Sequence, residues 1–467
     1  MTFNFTLPSP MTFIFTMGWL GLFMFIGVMC RARIAFLRKW LIPTAVIGGV
    51  LGMFANWTFL EKIGIFGVDQ AMVKAISFHI LPLFFSALAF RSSQGKDTSK
   101  RIVAGAVCLS GQNVFVSSAM YLVSVILVMG INLLANTDYL ASIGLIVSNG
   151  FSGGPSSAMG VGIAWDPTDT QGYVSMGLTG GSLGFLIAYI VGIPLANLYH
   201  KQASSAQRTV GEAESRGYYL AADAPSMGRE TTFSSNIEAL AVHIGLIFVN
   251  WSLSLVVCLG VAQLISYTSF KNYAGMVWTF TWMIPVLTAY PLRKFLNMTG
   301  YDVVIDDKLM AHIGNYCIDL MVICSFFGMT LSILGKFLPV LLIVSVVLTV
   351  LIFGLMRLIT WNIKNFRNIR VLYEFGVLTG TAATGLFLVR IVDPDGKNPM
   401  ALEQAFASFV MTFFHIPTAP FTHLEALGGH SPWIVVAGYA AKALAGLVLV
   451  IIGNRLVNRA YAGQVTD

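Results

Sequence analysis

Apolar segments of about 20 residues alternate with short polar stretches along almost the whole chain. A segment of this length is long enough for a helix to cross the hydrocarbon core of a bilayer. The alternation predicts spanning helices at about 9–30, 40–57, 71–90, 102–133, 173–199, 238–265, 276–292, 308–334, 338–358, 401–424 and 433–452. The pattern therefore indicates an all-α polytopic membrane protein with about 10–11 transmembrane helices.

Two glycine-rich segments, 148–167 and 375–394, interrupt this pattern of long apolar helices. The first contains Gly153, Gly154 and Pro155, which weaken a regular helix, and several hydroxyl side chains. Irregular backbone at membrane depth is tolerated only where it is buried in protein or lines a wet cavity. We therefore expect both segments to be re-entrant loops that hold a hydrophilic ligand inside the membrane.

The two glycine-rich segments align on the Asp-Pro pair that closes each of them. In this alignment Gly153 faces Gly380, and Ser152 faces Thr379. Similar interruptions at corresponding positions of two halves point to the binding site of a transporter, and two unrelated loops are the alternative. The predicted substrate-binding positions in these segments are Ser152, Gly153, Gly154, Ser156, Ser157, Thr379, Gly380, Thr381 and Thr384.

The basic residues predict how the chain is oriented in the membrane. With the N-terminus outside, the arginine and lysine groups at 31–39, 91–101, 201–229, 293–308, 357–370 and 455–459 all lie in cytoplasmic loops. Excess Lys and Arg in cytoplasmic loops is the usual determinant of orientation. In this orientation the first glycine-rich segment enters from outside and the second from inside, which predicts two repeats of inverted topology.

This topology divides the chain into four predicted parts. They are a first repeat at 1–199, a polar cytoplasmic linker at 200–238, a second repeat at 239–430, and an extra C-terminal helix and tail at 431–467. The linker is the one long stretch whose composition changes to Ser, Ala, Glu, Arg and Gly.

Composition supports a membrane protein and gives no sign of a cofactor. The chain of 467 residues is 56% hydrophobic and 10% charged, whereas soluble domains are about 25% charged. Its net charge of +7 follows the loops and therefore does not indicate a nucleic-acid partner. The five cysteines lie in apolar stretches without paired or metal-like spacing, so we expect them to be small core residues.

A polar face on the predicted helix 308–334 is a candidate cation site. His312, Asn315 and Asp319 share this face at helical spacing. An ionisable residue inside a span is a functional hypothesis by default, although a polar contact between helices is the alternative. Oxygen ligands suit sodium, so the predicted cation-binding residues are Asn149, Asn315, Asp319 and Thr381.

Arg390 is the strongest single candidate for binding an anionic substrate. It lies in an apolar stretch of the second glycine-rich segment, and its planar guanidinium suits a carboxylate. Pairing with the nearby Asp393, or extension to the membrane surface, is the alternative. For Glu374 we expect a surface pair with neighbouring arginines, and for Asn113 a structural bond between helices.

Five motifs, in their order and spacing, resemble the sodium/glutamate symporter family of bacteria. They are LIPTAVIGGV at 41–50, LIVSNGFSGG at 145–154, IGNYCIDL at 313–320, TGTAATG at 379–385 and RIVDP at 390–394. The resemblance implies two inverted five-helix repeats with re-entrant loops, a homodimer, and location in the bacterial cytoplasmic membrane. It also implies elevator-like transport of an anionic amino acid together with sodium.

Sequence and resemblance together predict a sodium-coupled symporter of glutamate or a similar carboxylate. Its partners would be the substrate, sodium, the lipid bilayer and a second copy of the chain. The alternative within this class is a carrier of another organic anion, with proton coupling through Asp319. An enzyme would need a clustered catalytic set and a channel a repeated filter, and the sequence predicts neither.

Overall fold

The computed structural model describes residues 9–40, 42–60, 67–91, 100–203, 226, 228–281, 284–329, 331–393 and 398–461. Helices hold 84% of these residues, and none of them forms a strand. The all-α class expected from the sequence is therefore confirmed. Most of the predicted linker, the end of the C-terminal tail, and Pro394 of the second glycine-rich segment lie outside the described residues.

The described residues form helices α1 Ser9–Arg33, α2 Ala35–Lys39, α3 Thr44–Ala55, α4 Gln70–Phe90, α5 Lys100–Ala135, α6 Ile143–Trp165, α7 Tyr173–Ala203, α8 Ala239–Ser266, α9 Ile284–Thr299, α10 Asp307–Phe327, α11 Leu331–Ile359, α12 Arg367–Leu378, α13 Ala382–Val392, α14 Met400–His415, α15 Ala419–Gly428 and α16 Pro432–Ala460. Shorter helical turns lie at Asn56–Leu60, Lys271–Phe280 and Tyr301–Val304.

Eight candidate membrane spans occur within the described residues. They are Thr12–Arg33, Gln70–Phe90, Lys100–Ala135, Tyr173–Tyr199, Ala239–Ser266, Asp307–Phe327, Phe337–Ile359 and Pro432–Ala460. The last of these confirms that the predicted eleventh helix is long and apolar enough to cross a membrane. The chain is thus a multi-pass helical protein by length and composition.

Four predicted helices differ from the observed ones. The one expected at 40–57 begins at Thr44, after Pro43, and Thr44–Leu60 is a shorter apolar helix that is not among the candidate spans. The helix expected at 308–334 ends at Phe327, where Gly328 forms its C-cap. The one expected at 276–292 is replaced by a 3₁₀ stretch followed by α9, which is 16 residues long. The one expected at 401–424 is broken after His415, because Pro417 cannot donate the hydrogen bond that a continuous helix needs.

The helices group into two compact units, each drawn from both halves of the sequence. The first unit contains Met1–Ser92, Thr209–Leu264 and Thr279–Gly335, and thus α1–α4, α9, α10 and most of α8. The second contains Ser93–Arg208, Ile265–Trp278 and Lys336–Asp467. Both glycine-rich segments belong to the second unit.

In the first unit, glycines allow α1 and α3 to touch through their backbones. A Cβ atom built on Gly27 would lie 2.2 Å from the carbonyl oxygen of Thr44, and one on Gly48 would lie 2.2 Å from that of Phe23. Buried polar side chains add interhelical hydrogen bonds, as where Asn250 donates to Ser86 Oγ at 2.9 Å. Small residues and polar bonds of this kind are what hold helices together in lipid.

In the second unit, α5 and α16 pack antiparallel along most of their lengths. A Cβ atom on Gly111 would lie 2.6 Å from Val450 N, and one on Gly446 would lie 2.6 Å from Phe115 N. These distances leave no room for side chains, so the two backbones are in direct contact. The extra C-terminal helix is therefore an integral part of this unit.

Candidate functional site

The first glycine-rich segment folds into a helical hairpin, here called the first hairpin, at 143–165. Its chain reverses at Gly154, whose φ of 74° and ψ of 177° interrupt α6. Ser157 Oγ donates a hydrogen bond of 3.1 Å to Asn149 Oδ1, although these residues are eight positions apart. Eight residues of straight helix span about 12 Å, so this bond requires a sharp bend between the two arms. Along α7 the first arm runs from Val147 at Gly180 to Phe151 at Gly184, whereas the second runs from Pro155 at Gly181 to Ala158 at Gly177, so the arms are antiparallel. We call residues 152–154 the tip of the first hairpin.

Both arms of the first hairpin pack against α7. The first arm contacts α7 through Gly150, where an added Cβ would lie 2.5 Å from Gly181 N. The second arm contacts it at Ala158, whose carbonyl carbon would lie 2.7 Å from a Cβ on Gly177. Glycine is needed at these positions because backbone meets backbone.

The second glycine-rich segment also folds back on itself, with α12 and α13 as the two arms of a second hairpin. A Cβ atom on Gly376 would lie 2.7 Å from Gly385 Cα, and one on Gly385 would lie 2.6 Å from the carbonyl oxygen of Tyr373. Residues so far apart in sequence touch only if the arms are antiparallel. We call residues 379–381 the tip of this hairpin.

Aligned positions at the two tips make the same contacts. Ser152 Oγ donates to the Ser148 carbonyl at 3.0 Å, and Thr379 Oγ1 donates to the Phe375 carbonyl at 2.6 Å. A Cβ atom built on Gly153 would lie 2.8 Å from Ser157 Oγ, and one built on Gly380 would lie 2.7 Å from Thr384 Oγ1. The aligned positions of the two hairpins therefore share these two local contacts.

The two hairpins are also closed alike at their Asp-Pro ends. Asp166 Oδ2 accepts from Gln171 N at 2.6 Å, and Asp393 Oδ2 accepts from Asn398 N at 2.7 Å. Burial by itself raises the pKa of Asp166, but hydrogen bonds from Gln171, Thr170 and Thr168 outweigh it and bring the pKa below its ordinary value. Asp166 is therefore an ionised cap at the base of the first hairpin.

The two tips meet inside the second unit. A Cβ atom on Gly154 would lie 3.0 Å from Thr381 Cγ2, and one on Gly184 would lie 2.7 Å from the Thr379 carbonyl oxygen. The buried Phe185 ring contacts both tips, at 3.8 Å from a Cβ on Gly154 and 3.1 Å from one on Gly380. Gly154 and Thr381, which are aligned with each other and 227 positions apart in the sequence, thus lie in one cluster.

The hairpins reach this meeting point from opposite ends of the α5–α16 pair. Near the base of the first hairpin, Ala141 packs in a buried cluster with Val435, at the start of α16. Near the base of the second, Ile363 packs in a cluster with Val457 and Tyr461, at the end of α16. The tips therefore meet between the two ends of this helix pair.

Each tip combines a helix end, a helix start and buried hydroxyl groups. An α-helix carries a partial negative charge at its C-terminus and a partial positive charge at its N-terminus. The side chains of Ser156, Ser157, Thr379, Thr381 and Thr384 are buried, and Ser152 is half-buried. The cluster thus offers oxygen ligands for a cation and helix N-termini for an anion, close to one another.

Comparison with known proteins identifies the family of this chain. A profile of the family described as sodium/glutamate symporter matches residues 11–375, which is most of the chain. The chain belongs to the sodium/glutamate symporter family. The resemblance seen in the motifs is thereby confirmed. A search of curated proteins finds no match.

Family membership makes this chain a multi-pass membrane protein of a transporter family. The family's description names sodium and glutamate, and the eight candidate spans are consistent with it. The match ends at Phe375, before the tip of the second hairpin, α14, α15 and α16. The family match therefore does not extend to this last part of the chain.

A buried lysine that the sequence did not predict to be functional lies next to the first tip. Lys442, in α16 of this symporter-family chain, is 4% exposed, and its Nζ lies 5.9 Å and 5.8 Å from the ring centres of Tyr121 and Tyr439. Tyr121 Oη lies 3.0 Å from Ser152 Oγ in a hydrogen bond. One tyrosine thus separates the Lys442 amine from the tip. The sequence signal that could have identified Lys442 is its position in an apolar helix.

The structure does not gather all of the predicted site residues. Asn149 and Thr381 lie at the two hairpins, whereas Asn315 and Asp319 belong to α10 of the first unit, where both are exposed. Arg390 lies in α13, and its side chain is outside the described residues. The predicted cation-binding residues are therefore divided between the units.

The prediction of a surface pair for Glu374 is wrong. Its side chain is 0% exposed, and Oε2 accepts a hydrogen bond of 3.3 Å from Asn113 Nδ2. Nearby, Arg370 is equally buried and donates to both oxygens of Glu403, at 2.6 Å and 2.9 Å. The expected interhelical bond of Asn113 is confirmed. Sequence reasoning failed for Glu374 because a run of basic residues looks the same whether its neighbours face solvent or the core.

Proposed function

We propose that this chain is a sodium-driven symporter of glutamate or a similar anionic amino acid. The observation that carries the proposal is the meeting of the two hairpin tips in one cluster of hydroxyl groups and helix ends. Discontinuous helices whose ends face each other near the middle of the protein form substrate and ion sites in secondary transporters. The substrate would bind at this meeting point.

The chemistry of the cluster matches a carboxylate carried together with a cation. The N-termini of the second arms, which begin just after Gly154 and Thr381, favour the negative groups of the substrate. The Lys442 amine lies near the first tip and would add positive charge there when the substrate's carboxylate keeps it protonated. Hydroxyl and carbonyl oxygens, with Asn149 and Thr381 among them, are the hard ligands that sodium prefers. Arg390, Asn315 and Asp319 remain proposed ligands.

The arrangement supports alternating access by inverted repeats. We propose that the hairpins are re-entrant, the first from outside and the second from inside the cytoplasmic membrane, with the N-terminus outside. Their approach from opposite ends of the α5–α16 pair and their matched local contacts support this proposal. The separate compact units support an elevator-like movement of one unit. We propose that the chain acts as a homodimer, as the resemblance implies. Opposed hairpins give the site a route to each side in turn.

The test is uptake of labelled glutamate into liposomes that contain the purified protein. We expect accumulation when an inward sodium gradient is imposed, and none when potassium replaces sodium outside, because sodium entry supplies the driving force. Liposomes without protein are the control. Accumulation that is independent of sodium would contradict sodium as the coupling ion. An uptake rate that does not saturate with glutamate concentration would contradict a carrier. If glutamate is not taken up, a panel of other carboxylates tests the substrate class.

A further inference from the structure

The second unit contains a buried pair of opposite charges. Arg370 and Glu403 are both 0% exposed, and two hydrogen bonds of 2.6 Å and 2.9 Å join them. Tyr461 Oη donates a further hydrogen bond of 3.3 Å to Glu403 Oε1. Such a bidentate pair matches one positive charge with one negative charge. The Arg370 charge is therefore already neutralised.

Glu374 is a second carboxyl group in the same region, and no cation is paired with it among the described residues. One oxygen accepts the bond from Asn113, and the other, Oε1, is buried and accepts no hydrogen bond from any described residue. An ionised carboxylate without a partner is very costly to bury. This group must therefore carry a proton or bind a cation whenever it is enclosed as in this structure.

The position of Glu374 links this requirement to the proposed transport site. It lies in α12, the first arm of the second hairpin, five residues before Thr379 at the tip. Tyr373 Oη beside it and Gln112 Oε1 on α5 are further buried oxygens without a hydrogen bond from the described residues. The other titratable groups around it are Arg370, Glu403, Tyr461 and Cys108.

We propose that Glu374 is a binding site for a monovalent cation, a proton or a sodium ion, that is taken up and released once per transport cycle. The transport cycle rests on the proposed function, whereas the cation site itself does not. The site is distinct from the hydroxyl cluster at the tips. It supplies a coupling ion in addition to any ion that the tips bind.

The first experiment compares Glu374→Gln with wild type in glutamate-loaded liposomes. Glutamine has the same shape as glutamate but is permanently neutral. It therefore imitates Glu374 with its cation bound and cannot return to the cation-free, ionised state. A coupled carrier that cannot release its ion still exchanges substrate but cannot return empty. We expect gradient-driven accumulation to fall about tenfold or more, while exchange of internal for external glutamate stays within about twofold of wild type.

The exposed Glu238 in the first unit provides the matched control, since Glu238→Gln removes a carboxylate that is not buried. This variant is expected to behave as wild type in both assays. Wild-type accumulation by Glu374→Gln overturns the proposal. Loss of both accumulation and exchange in folded Glu374→Gln protein also overturns it, because that result indicates a role in packing or in substrate binding.

A second measurement on wild-type protein needs no variant and no transport. Dicyclohexylcarbodiimide is a hydrophobic reagent that modifies protonated carboxyl groups, and peptide mass spectrometry locates the product. We expect labelling at Glu374 that decreases as the pH rises. Protection by added sodium at fixed pH identifies sodium as a ligand, and labelling unaffected by sodium identifies the proton alone. Absence of labelling at both acidic and neutral pH overturns the proposal.

These experiments separate failure of the inference from failure of the proposed function. If wild-type protein does not transport glutamate but Glu374 is labelled as expected, the cation site stands and the substrate assignment fails. If wild-type protein accumulates glutamate with sodium and Glu374 remains unlabelled, the symporter stands and the cation site fails.

Discussion

At the scale of single residues, Gly154 has the clearest structural requirement in the candidate site. Its φ of 74° lies in the left-handed region, which residues with a Cβ rarely adopt. A Cβ at this position would also lie 3.0 Å from Thr381 Cγ2. Glycine is thus needed both to reverse the chain and to let the tips meet.

We predict that Gly154→Ala reduces sodium-driven uptake by about tenfold or more, since strain of about 1–3 kcal/mol displaces the tip. The measurement is initial uptake rate per reconstituted protein. Gly130→Ala is the matched control, because a Cβ at Gly130 in α5 meets nothing within 4 Å. Alanine there is expected to leave uptake unchanged. Equal effects of both substitutions would show that the conformation of Gly154 does not matter for transport.

At the scale of helices, the contact between α5 and α16 decides how the second unit is built. Three glycines at the contact remove side chains where backbones touch, and Gly453 is the third, with a Cβ position 2.5 Å from Cys108 Cα. The predicted eleventh helix, α16, thus packs along α5, which precedes the first hairpin. It also carries Lys442 to the first tip.

We predict that Gly446→Ala destabilises the protein by about 1–3 kcal/mol, because the new methyl group would lie 2.6 Å from the Phe115 backbone. The measurement is the Tm of the purified protein in detergent. Gly354→Ala is the control, since a Cβ at Gly354 in α11 meets nothing within 4 Å. An equal Tm for the two variants would contradict a close α5–α16 contact in the membrane protein.

At the scale of the whole molecule, the proposed orientation places the two hairpin bases on opposite sides of the membrane. Asp138 precedes the first hairpin and Lys364 precedes the second. In the orientation predicted from the Lys and Arg groups, Asp138 would lie outside and Lys364 inside. These two positions therefore report on the inverted topology directly.

We predict that, in a background without the native cysteines, a membrane-impermeant maleimide labels Asp138→Cys in intact cells. The same reagent is expected to label Lys364→Cys only after the membrane is opened. Labelling of both variants from one side would contradict inverted hairpins. The reverse pattern would keep the inversion and place the N-terminus inside.

The sequence by itself determined the features that depend on neighbouring residues. Apolar length requires helices that can span a membrane, and clustered glycines with an Asp-Pro end require a break in them. The matching hydrogen bonds of Ser152 and Thr379 are local contacts of this kind, because each joins residues four positions apart. The family was recognisable for the same reason, because its motifs are short and contiguous.

Only the tertiary structure decided which distant residues share an environment. Glu374 and Asn113, or Lys442 and Tyr121, are hundreds of positions apart in sequence and meet through helix packing, which hydrophobic periodicity does not specify. Burial likewise depends on which neighbours cover a helix face. A chain rich in apolar residues everywhere gives no contrast between a lipid-facing and a core-facing side, so only folding separates the exposed Asp319 from the enclosed Glu374.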